Sequence, residues 1–524
     1  QQTMTILGVA ALSLVVASKA TAMSVDYTEM FFNQSLDHFH ADEHTKWEHR
    51  YLFSDAYWDG SGALENGCKG PILFYTGNEG DVTGFWDSNG FMIDYLAPKW
   101  NALLIFAEER YYGKSMPFGD DSYLPENLGY LSTSQVLEDY VELIEYLKST
   151  LDNAINCPVI AFGGSYGGTL TTLLRVSHPS SIIGGLAASA PIGYYDIDGW
   201  DIHNVNEYTW SDIVTKDYNE ADPKCLNAIQ TSIDVINKAS IEDVMESFNV
   251  CEANGLGPTS QADLFIYGLE GLCQMNYPYQ IDATPAWPVN YTCSVLIDAM
   301  NTDDSHTILT AAGQIGQMSL GYIGEDDCFP TLEEGPGGVP GDGPGPDSWG
   351  WQSCTENLHT FSARGIRNYT FNMETSANQP CADIFGNDAS TGQPLVQPDT
   401  SLLTRRYGGY KIGDGLTGVS NLIWSNGLLD PWSGGGFLIE PSTSTSTSTS
   451  TSTSRAMSSS DDQGNVWISM PSGAHHLDLR GPNDADPSDV TDARGIEEEV
   501  MKGWIDDYDQ KTTQLMKKKG TDIA

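Results

Sequence analysis

The serine at position 165 lies between two pairs of glycines, in Gly163-Gly164-Ser165-Tyr166-Gly167, directly after the apolar run 158–162. This pentapeptide fits the pattern G-x-S-x-G, in which small residues let a strand turn sharply into a helix and leave the serine hydroxyl clear of the backbone. Such a hydroxyl becomes a nucleophile when a neighbouring base takes its proton. A glycine-rich turn with an incidental serine has the same composition, so the rest of the chain must decide.

The base should be a histidine that follows the serine, because α/β-hydrolases present their triad in the chain order Ser, Asp or Glu, His. Six histidines follow Ser165, at positions 178, 203, 306, 359, 475 and 476. The first comes too soon after the serine, and the next three fall at or inside a helical segment described below. The last two follow the apolar run 466–470. We predict His475 as the base and keep His476 as the alternative, or as a structural hydrogen-bonding residue.

The acid of the triad should follow the preceding strand. Asp430 lies after the apolar run 421–427 and directly before Pro431. There it would accept the Nδ1 proton of the imidazole and leave Nε2 to take the serine proton. An aspartate before proline is also a common turn residue. Its place between the serine and the histidine pair favours the catalytic interpretation.

A transition state of acyl transfer also needs donors for the developing oxyanion. The backbone N–H of Tyr166 is the first predicted donor, because it directly follows the serine. The second should come from the loop 75–81, where we predict Gly77 or Asn78.

The chain has 524 residues and carries 25 Lys+Arg against 71 Asp+Glu, for a formal net charge of −46. This balance excludes nucleic acid as a partner, since nucleic-acid binding needs a basic surface. It fits either a soluble secreted surface or adaptation to an acidic compartment, where protonation reduces self-repulsion. Residues 1–22 resemble a signal peptide, with an apolar stretch and the small residues Ala20-Thr21-Ala22, and no other stretch suits a membrane helix.

Seven of the nine cysteines lie between positions 225 and 381, with no C-x-x-C pair, which favours disulfides over zinc and leaves at least one cysteine outside any intrachain bridge. Three N-x-[ST] sequons agree with secretion and predict glycosylation at Asn33, Asn290 and Asn368. No metal and no organic cofactor is predicted.

Continuous apolar runs alternate with helical segments, which predicts a mostly parallel sheet with helices on both faces. The predicted strands are 71–77, 102–110, 158–164, 184–191, 421–427 and 466–470, and a helix is predicted over 133–150. The predicted domains are a core in two parts, 30–205 and 396–510, around a helical, cysteine-rich insertion at 206–395. The Gly/Pro-rich segment 333–348 and the Ser/Thr run 442–454 are predicted to be surface loops.

Longer stretches resemble one family, that of the lysosomal Pro-X carboxypeptidase, dipeptidyl peptidase II and the thymus-specific serine protease. They spread over about residues 30–510 and include "YTGNEGDVTGFWDSNGFM" (75–92), "LLIFAEERYYGKSMPFG" (103–119), "GGSYGGTL" (163–170), "AASAPI" (187–192), "WGWQSCTE" (349–356), "SNGLLDPWSGGG" (425–436) and "GAHHLDLR" (473–480).

The resemblance implies an α/β-hydrolase fold with an inserted helical, disulfide-bonded lid, and it maps the family's triad onto Ser165, Asp430 and His475. It implies a serine exopeptidase that cleaves peptides on the carboxyl side of a proline near one terminus, in the lysosome or vacuole or outside the cell. A rigid proline ring suits an apolar pocket, for which Trp432 is a predicted wall and Thr169 a predicted floor. Ordinary core packing is the alternative for Trp432.

Several points stay open at this stage. Glu79 could bind the terminal group of the substrate, as an ionised partner of an amine or a protonated donor to a carboxylate, or could only brace its loop. Family members commonly have Glu-His-Arg-Tyr-Tyr where this chain has Glu-Glu-Arg-Tyr-Tyr at 108–112, which changes the acidity near the site. Two alternatives to the peptidase function remain, namely an esterase or lipase on the same fold and a secreted binding protein without catalysis. The sequence leaves the oligomeric state open, and a homodimer is one option.

Overall fold

The computed structural model describes residues 25–42, 44–249, 258–281, 284–319, 348–387, 390–415, 418–438 and 455–522. The predicted signal peptide, the Ser/Thr run 442–454 and all but the last residue of the Gly/Pro-rich segment 333–348 lie outside these residues.

The centre of the fold is a nine-stranded sheet in the order β1-β2-β4-β3-β5-β6-β7-β9-β8. The six strands from β4 to β9 along this order pair in parallel, while β1, β2 and β8 join the sheet antiparallel at its two sides. In chain order, strands β1 to β9 are Thr28–Ser35, Lys46–Ser54, Ile72–Thr76, Leu103–Ala107, Val159–Gly164, Gly184–Ala188, Leu422–Gly427, Met457–Ser460 and Val466–Met470.

Helices cover both faces of this sheet. In chain order, helices α1 to α16 are Val82–Ser88, Ala97–Trp100, Pro125–Leu128, Thr133–Thr150, Tyr166–Ser177, Thr209–Ala221, Cys225–Ile236, Ile241–Phe248, Pro258–Gln274, Pro288–Met300, Ser305–Ser319, Ser348–Ser353, Gln379–Phe385, Leu402–Tyr407, Tyr410–Gly413 and Ser488–Asp522. Shorter 3₁₀ turns include Pro431–Gly435 and Leu477–Leu479, next to the candidate site.

The parallel strands are buried on both faces, which explains their continuous apolar sequences. In β3, Ile72 and Phe74 belong to the hydrophobic cluster on one face, and Leu73 and Tyr75 to the cluster on the other. All six predicted strands and the predicted helix at 133–150 are confirmed, the helix beginning after Ser132, whose hydroxyl accepts the N–H of Gln135. The fold class is therefore that of the α/β-hydrolases.

Between β6 and β7 the chain forms helices α6 to α15, and we call residues 206–395, which include α6 to α13, the insertion. Helices α6 to α12 share one hydrophobic cluster with a face of the sheet, and that cluster includes Trp210 and Tyr218 of α6. Disulfides join Cys225 to Cys293 and Cys354 to Cys381 in the insertion, and Cys68 to Cys157 in the core. These bonds confirm the disulfide prediction, and the buried Cys273 has a free thiol.

Among the described helices, none combines the length and the apolar character that a bilayer crossing requires.

A carboxyl group is buried inside the insertion. Asp217 of α6 is 4% exposed, and within the described residues neither of its oxygens accepts a hydrogen bond. Its nearest ion-pair partner is Lys216 Nζ, at 3.9 Å. Burial raises the pKa of Asp217 to about 8, and the neighbouring Glu220 and Asp430 add to the shift.

We expect Asp217→Asn to stabilise the protein at neutral pH and to have little effect near pH 4. The folded pKa lies above the unfolded value, so this group contributes stability that is lost as the pH rises from about 4 through about 8. An amide removes that dependence. Thermal unfolding should show a Tm higher than that of the wild type by several degrees at pH 7. Asp298→Asn, which changes the same charge on an exposed position of α10, is the control. An equal shift at both pH values would contradict the prediction.

Candidate active site

Four side chains follow four neighbouring parallel strands at one edge of the sheet. Ser165 follows β5, Ser189 follows β6, Asp430 lies three residues beyond β7 and His475 five residues beyond β9. Because β5, β6, β7 and β9 are adjacent and parallel, their carboxyl ends meet at this edge. In open α/β sheets this edge is where ligands bind.

Ser165 occupies the turn between β5 and α5 with φ 58° and ψ −129°. We call this turn, residues 163–167, the elbow and α5 the elbow helix. A Cβ on Gly163 would lie 2.1 Å from the carbonyl oxygen of Gly167, and one on Gly167 would lie 2.8 Å from Asn78 Oδ1. Both positions therefore require glycine. The turn is fixed by the N–H of Ser165, which donates to the carbonyl of Ala188 at 2.9 Å.

Asp430 and His475 form a buried pair. The Nδ1 of His475 lies 2.5 Å from Oδ2 of Asp430, and the two side chains are 2% and 0% exposed. The other carboxylate oxygen, Oδ1, accepts the N–H of Trp432 at 3.0 Å. The Ser189 side chain lies close to Asp430, and its hydroxyl accepts the N–H of His476 at 2.8 Å.

This pairing distinguishes the two histidines. His475 holds Nδ1 toward the carboxylate, and its buried Nε2 has no hydrogen-bond partner among the described residues. His476 has φ 35°, and its ring lies against the elbow, since a Cβ on Gly164 would be 3.0 Å from its Cδ2. The histidine loop therefore contacts the residue that precedes Ser165, and His475 is the histidine that pairs with Asp430.

Burial lowers the pKa of His475 well below its ordinary value of 6.5, because the imidazolium form is poorly solvated there. The neutral imidazole, which can accept a proton, is therefore the resting form in mildly acidic as well as neutral solution.

The structure contradicts one of the oxyanion donors predicted in the loop after β3. The N–H of Gly77 donates to the carbonyl of Ala107 at 3.0 Å, so it is not free to bind an oxyanion, and the prediction of Gly77 is wrong. The carbonyl of Gly77 accepts the hydroxyl of Tyr140, which fixes the loop against α4. Asn78 lies against the first turn of α5, and it stays a predicted donor together with Tyr166.

A buried acidic group lies next to the elbow helix. Glu79 is fully buried and accepts the side-chain amide of Asn78 at 2.7 Å. Glu109 is also fully buried, and burial together with the nearby Glu79 raises the pKa of Glu109 well above its ordinary value. The departure from the family pattern at position 109 therefore adds a carboxyl group that favours its neutral form.

Gln352 of α12 connects this group to the elbow. Its Nε2 donates to Glu109 Oε1 at 2.8 Å and to the Tyr166 hydroxyl at 3.1 Å, while its Oε1 accepts the Tyr112 hydroxyl at 2.5 Å. The insertion thus contacts the residue that follows Ser165.

Trp432 is fully buried in an aromatic cluster beside Asp430. Its ring centroid lies 4.4 Å from that of Trp210 and 5.0 Å from that of His359. His359 in turn lies 4.8 Å from Tyr195, which lines a small cavity with Thr169. Trp432 and Thr169 are thus linked through two other rings, and their roles as wall and floor of a pocket stay predictions.

The three predicted glycosylation positions, Asn33, Asn290 and Asn368, are all exposed. In the described part of the chain, no group of three His, Cys, Asp or Glu side chains is arranged as metal ligands.

Sequence reasoning missed four residues that contact this site, namely Ser189, Gln274, Tyr277 and Gln352. The position of Ser189 at the end of a predicted strand could have indicated it. The other three come from the insertion. Gln352 lies in the stretch 349–356 that resembles the family, which could have indicated it, whereas Gln274 and Tyr277 lie in no such stretch.

The sheet order and the elbow assign the protein to the α/β-hydrolases, and the buried Asp–His pair beside the elbow is an arrangement that serine hydrolases of this class use.

The family described as serine carboxypeptidase S28 matches residues 34–497. The chain is 34% identical to human and to mouse lysosomal Pro-X carboxypeptidase, covering 93% of this chain and 90% and 91% of the relatives. It is 30% identical to a Caenorhabditis elegans prolyl carboxy peptidase like protein 5, covering 91% of this chain and 90% of the relative. The chain therefore belongs to the serine carboxypeptidase S28 family and is a serine-type peptidase.

We expect Gly163→Ala to destabilise the protein and to reduce its activity, because the new Cβ would overlap the Gly167 carbonyl and force the elbow to move. The free energy of unfolding should fall by about 1–3 kcal/mol. Gly495→Ala in α16 is the matched control, since a Cβ there meets no atom within 4 Å. Helix propensity should make that variant equal to the wild type or more stable. Equal stability of both variants in denaturant titrations would contradict the assigned contact.

Proposed function

We propose that the protein is an exopeptidase that hydrolyses the bond on the carboxyl side of a proline near the carboxyl end of a peptide. Membership of the serine carboxypeptidase S28 family supports the serine peptidase chemistry. The similarity to two Pro-X carboxypeptidases supports the proline and the carboxypeptidase mode. The site observation that carries the proposal is the buried contact of His475 Nδ1 with Asp430, which leaves Nε2 without a partner among the described residues, in a loop that contacts the elbow through His476.

In this proposal Ser165 is the nucleophile and His475 the general base. Asp430 accepts the Nδ1 proton, fixes the tautomer and stabilises the imidazolium that forms when Nε2 takes the Ser165 proton. The serine oxygen attacks the prolyl carbonyl, and the N–H groups of Tyr166 and Asn78 stabilise the oxyanion. The imidazolium then protonates the leaving amine. Water, activated by the same imidazole, hydrolyses the acyl-enzyme and restores Ser165.

Substrate recognition in this proposal divides between the aromatic cluster and the acidic group. Trp432 and Thr169 would contact the proline ring, which loses little conformational freedom on binding because it is already rigid. Glu79 would bind the terminal carboxylate in its protonated form. A protonated carboxyl can donate to a carboxylate.

We further propose that the protein passes through the secretory pathway to a lysosome, a vacuole or the extracellular space. The lysosomal relatives, the disulfides and the exposed sequons at Asn33, Asn290 and Asn368 support this location. A homodimer stays a prediction.

The substrate proposal is tested with two synthetic peptides, analysed by mass spectrometry from about pH 4 to about pH 7. One has a blocked amino end and a penultimate proline, and the other has a free amino end and proline as its second residue. We expect the first to lose its last residue and the second to stay intact. Ser165→Ala should cleave neither.

Release of the amino-terminal dipeptide from the second peptide would show a dipeptidyl peptidase instead. Cleavage of neither peptide, with turnover of p-nitrophenyl esters, would favour the esterase alternative.

The pH dependence of kcat/KM tests the assigned base. Because burial lowers the pKa of His475, protonation of the base should reduce kcat/KM only at pH values well below 6.5. His476→Asn should keep the same acidic limb, since it leaves His475 in place and asparagine tolerates the positive φ. An acidic limb at or above pH 6.5 in the wild type would contradict the assignment, and loss of the limb in His476→Asn would make His476 the base.

A further inference from the structure

Residues of the insertion hold the backbone of His475. The N–H of His475 donates to the carbonyl of Gln274 at 3.0 Å. The carbonyl of His475 accepts the hydroxyl of Tyr277 at 3.0 Å. Both backbone polar groups of the base therefore bind residues at the end of α9, some two hundred positions earlier in the chain.

The same segment also holds the loop that carries the acid. Gln274 Oε1 accepts the indole N–H of Trp432 at 3.2 Å, and the backbone N–H of Trp432 donates to Asp430. Gln274 therefore contacts the base through its backbone and the acid loop through its side chain. It ties together the two loops whose relative position sets the Asp430–His475 distance.

Tyr277 is itself well fixed. It is 4% exposed, and the guanidinium of Arg480 lies 4.5 Å from its ring centroid. Its carbonyl accepts the N–H of Trp287 at 2.7 Å. A hydroxyl held this firmly restricts the carbonyl that it binds.

The core holds the histidine loop on both sides of His475, since the N–H of Leu429 donates to the carbonyl of Gly473 at 3.0 Å and the Arg494 guanidinium donates to the carbonyl of Leu477 at 2.8 Å. The two backbone groups of His475 itself bind the insertion. His475 lies outside the regular elements, between β9 and the turn Leu477–Leu479. The adjacent hydrogen bond to the core comes from the N–H of His476 to Ser189. General-base catalysis requires reacting atoms at hydrogen-bond distance, and small displacements reduce the rate strongly.

We propose that Tyr277 and Gln274 are positioning residues for His475, so that the insertion completes the catalytic site as well as covering it. This inference rests on the proposed role of His475 as the base. It assigns the two residues no contact with the substrate and makes their effect one on the rate of proton transfer.

Tyr277→Phe removes the hydroxyl that binds the His475 carbonyl and keeps the aromatic ring. Fluorophosphonate labelling of Ser165 is the main measurement, because it needs the base but no peptide binding. We expect the labelling rate and kcat to fall by the same factor, about 3–10-fold, as for one lost hydrogen bond. KM and the final extent of labelling should equal those of the wild type. Gln274→Ala, which keeps the backbone carbonyl, should also lower the rate at full extent.

Tyr279→Phe is the matched control. The ring of Tyr279 stacks on that of Tyr277 with centroids 6.3 Å apart, so the substitution removes a hydroxyl from the same segment without touching His475. It should label at the wild-type rate. This control separates loss of one specific contact from a general effect of the substitution on the segment.

The outcomes separate the two proposals. A wild type that labels at Ser165, with an unchanged rate in Tyr277→Phe, would overturn the positioning role alone. So would a reduced extent of labelling at an unchanged rate, because that result describes a purely structural contact. A wild type that is not labelled would overturn the proposed function, and the positioning role with it.

Discussion

The buried carboxylate of Asp430 constrains the whole carboxyl edge of the sheet. A carboxylate removed from water costs several kcal/mol unless hydrogen bonds replace its solvation. Here the donors are His475 Nδ1 and the N–H of Trp432. They come from the loops after β9 and β7, so both loops must keep their places for the carboxylate to stay satisfied. Ser189, after β6, is fixed by its own N–H, which donates to the carbonyl of Ser425 at 2.7 Å, and its hydroxyl accepts the N–H of His476. The carboxylate thus does more than orient one imidazole, because its solvation requires the loops after β7 and β9 to converge.

Most of the sheet could be predicted because its parallel strands are buried on both faces and therefore appear as uninterrupted apolar runs. The same reasoning brought Ser165, Asp430 and His475 to one edge, since the carboxyl ends of parallel strands lie together. The antiparallel strand β1 gives no such signal, because it lies at the edge of the sheet and is largely exposed. In β2 the buried positions include the polar residues His49 and Arg50, which interrupt the apolar run. Gly77 shows a second limit. The sequence places it in the correct loop, but only the structure shows that its N–H already binds Ala107.

The contacts made by the insertion lie beyond sequence reasoning for a different reason. Gln274 acts on His475 through a backbone carbonyl, and any residue type supplies that group, so no residue pattern marks it. Gln352 and Tyr277 act through polar side chains at the ends of short segments, where such residues are common. Their partners lie between 186 and 243 positions away along the chain, and only the packed structure brings them together.

In the proposed mechanism these contacts give the insertion a part in aligning His475, in addition to covering the site. If the insertion only covered a catalytic site that the core formed by itself, its sequence and position could change as long as the substrate still reached the site. Here the hydrophobic cluster runs without interruption from the sheet into α6, α7 and α9, and the end of α9 satisfies both backbone groups of His475. Moving the insertion away as a rigid body would leave those groups unpaired and release the Trp432 indole from Gln274. In the proposed mechanism, the contacts between the insertion and the histidine loop also align the base, so a substitution that displaces Gln274 or Tyr277 would alter the geometry of proton transfer.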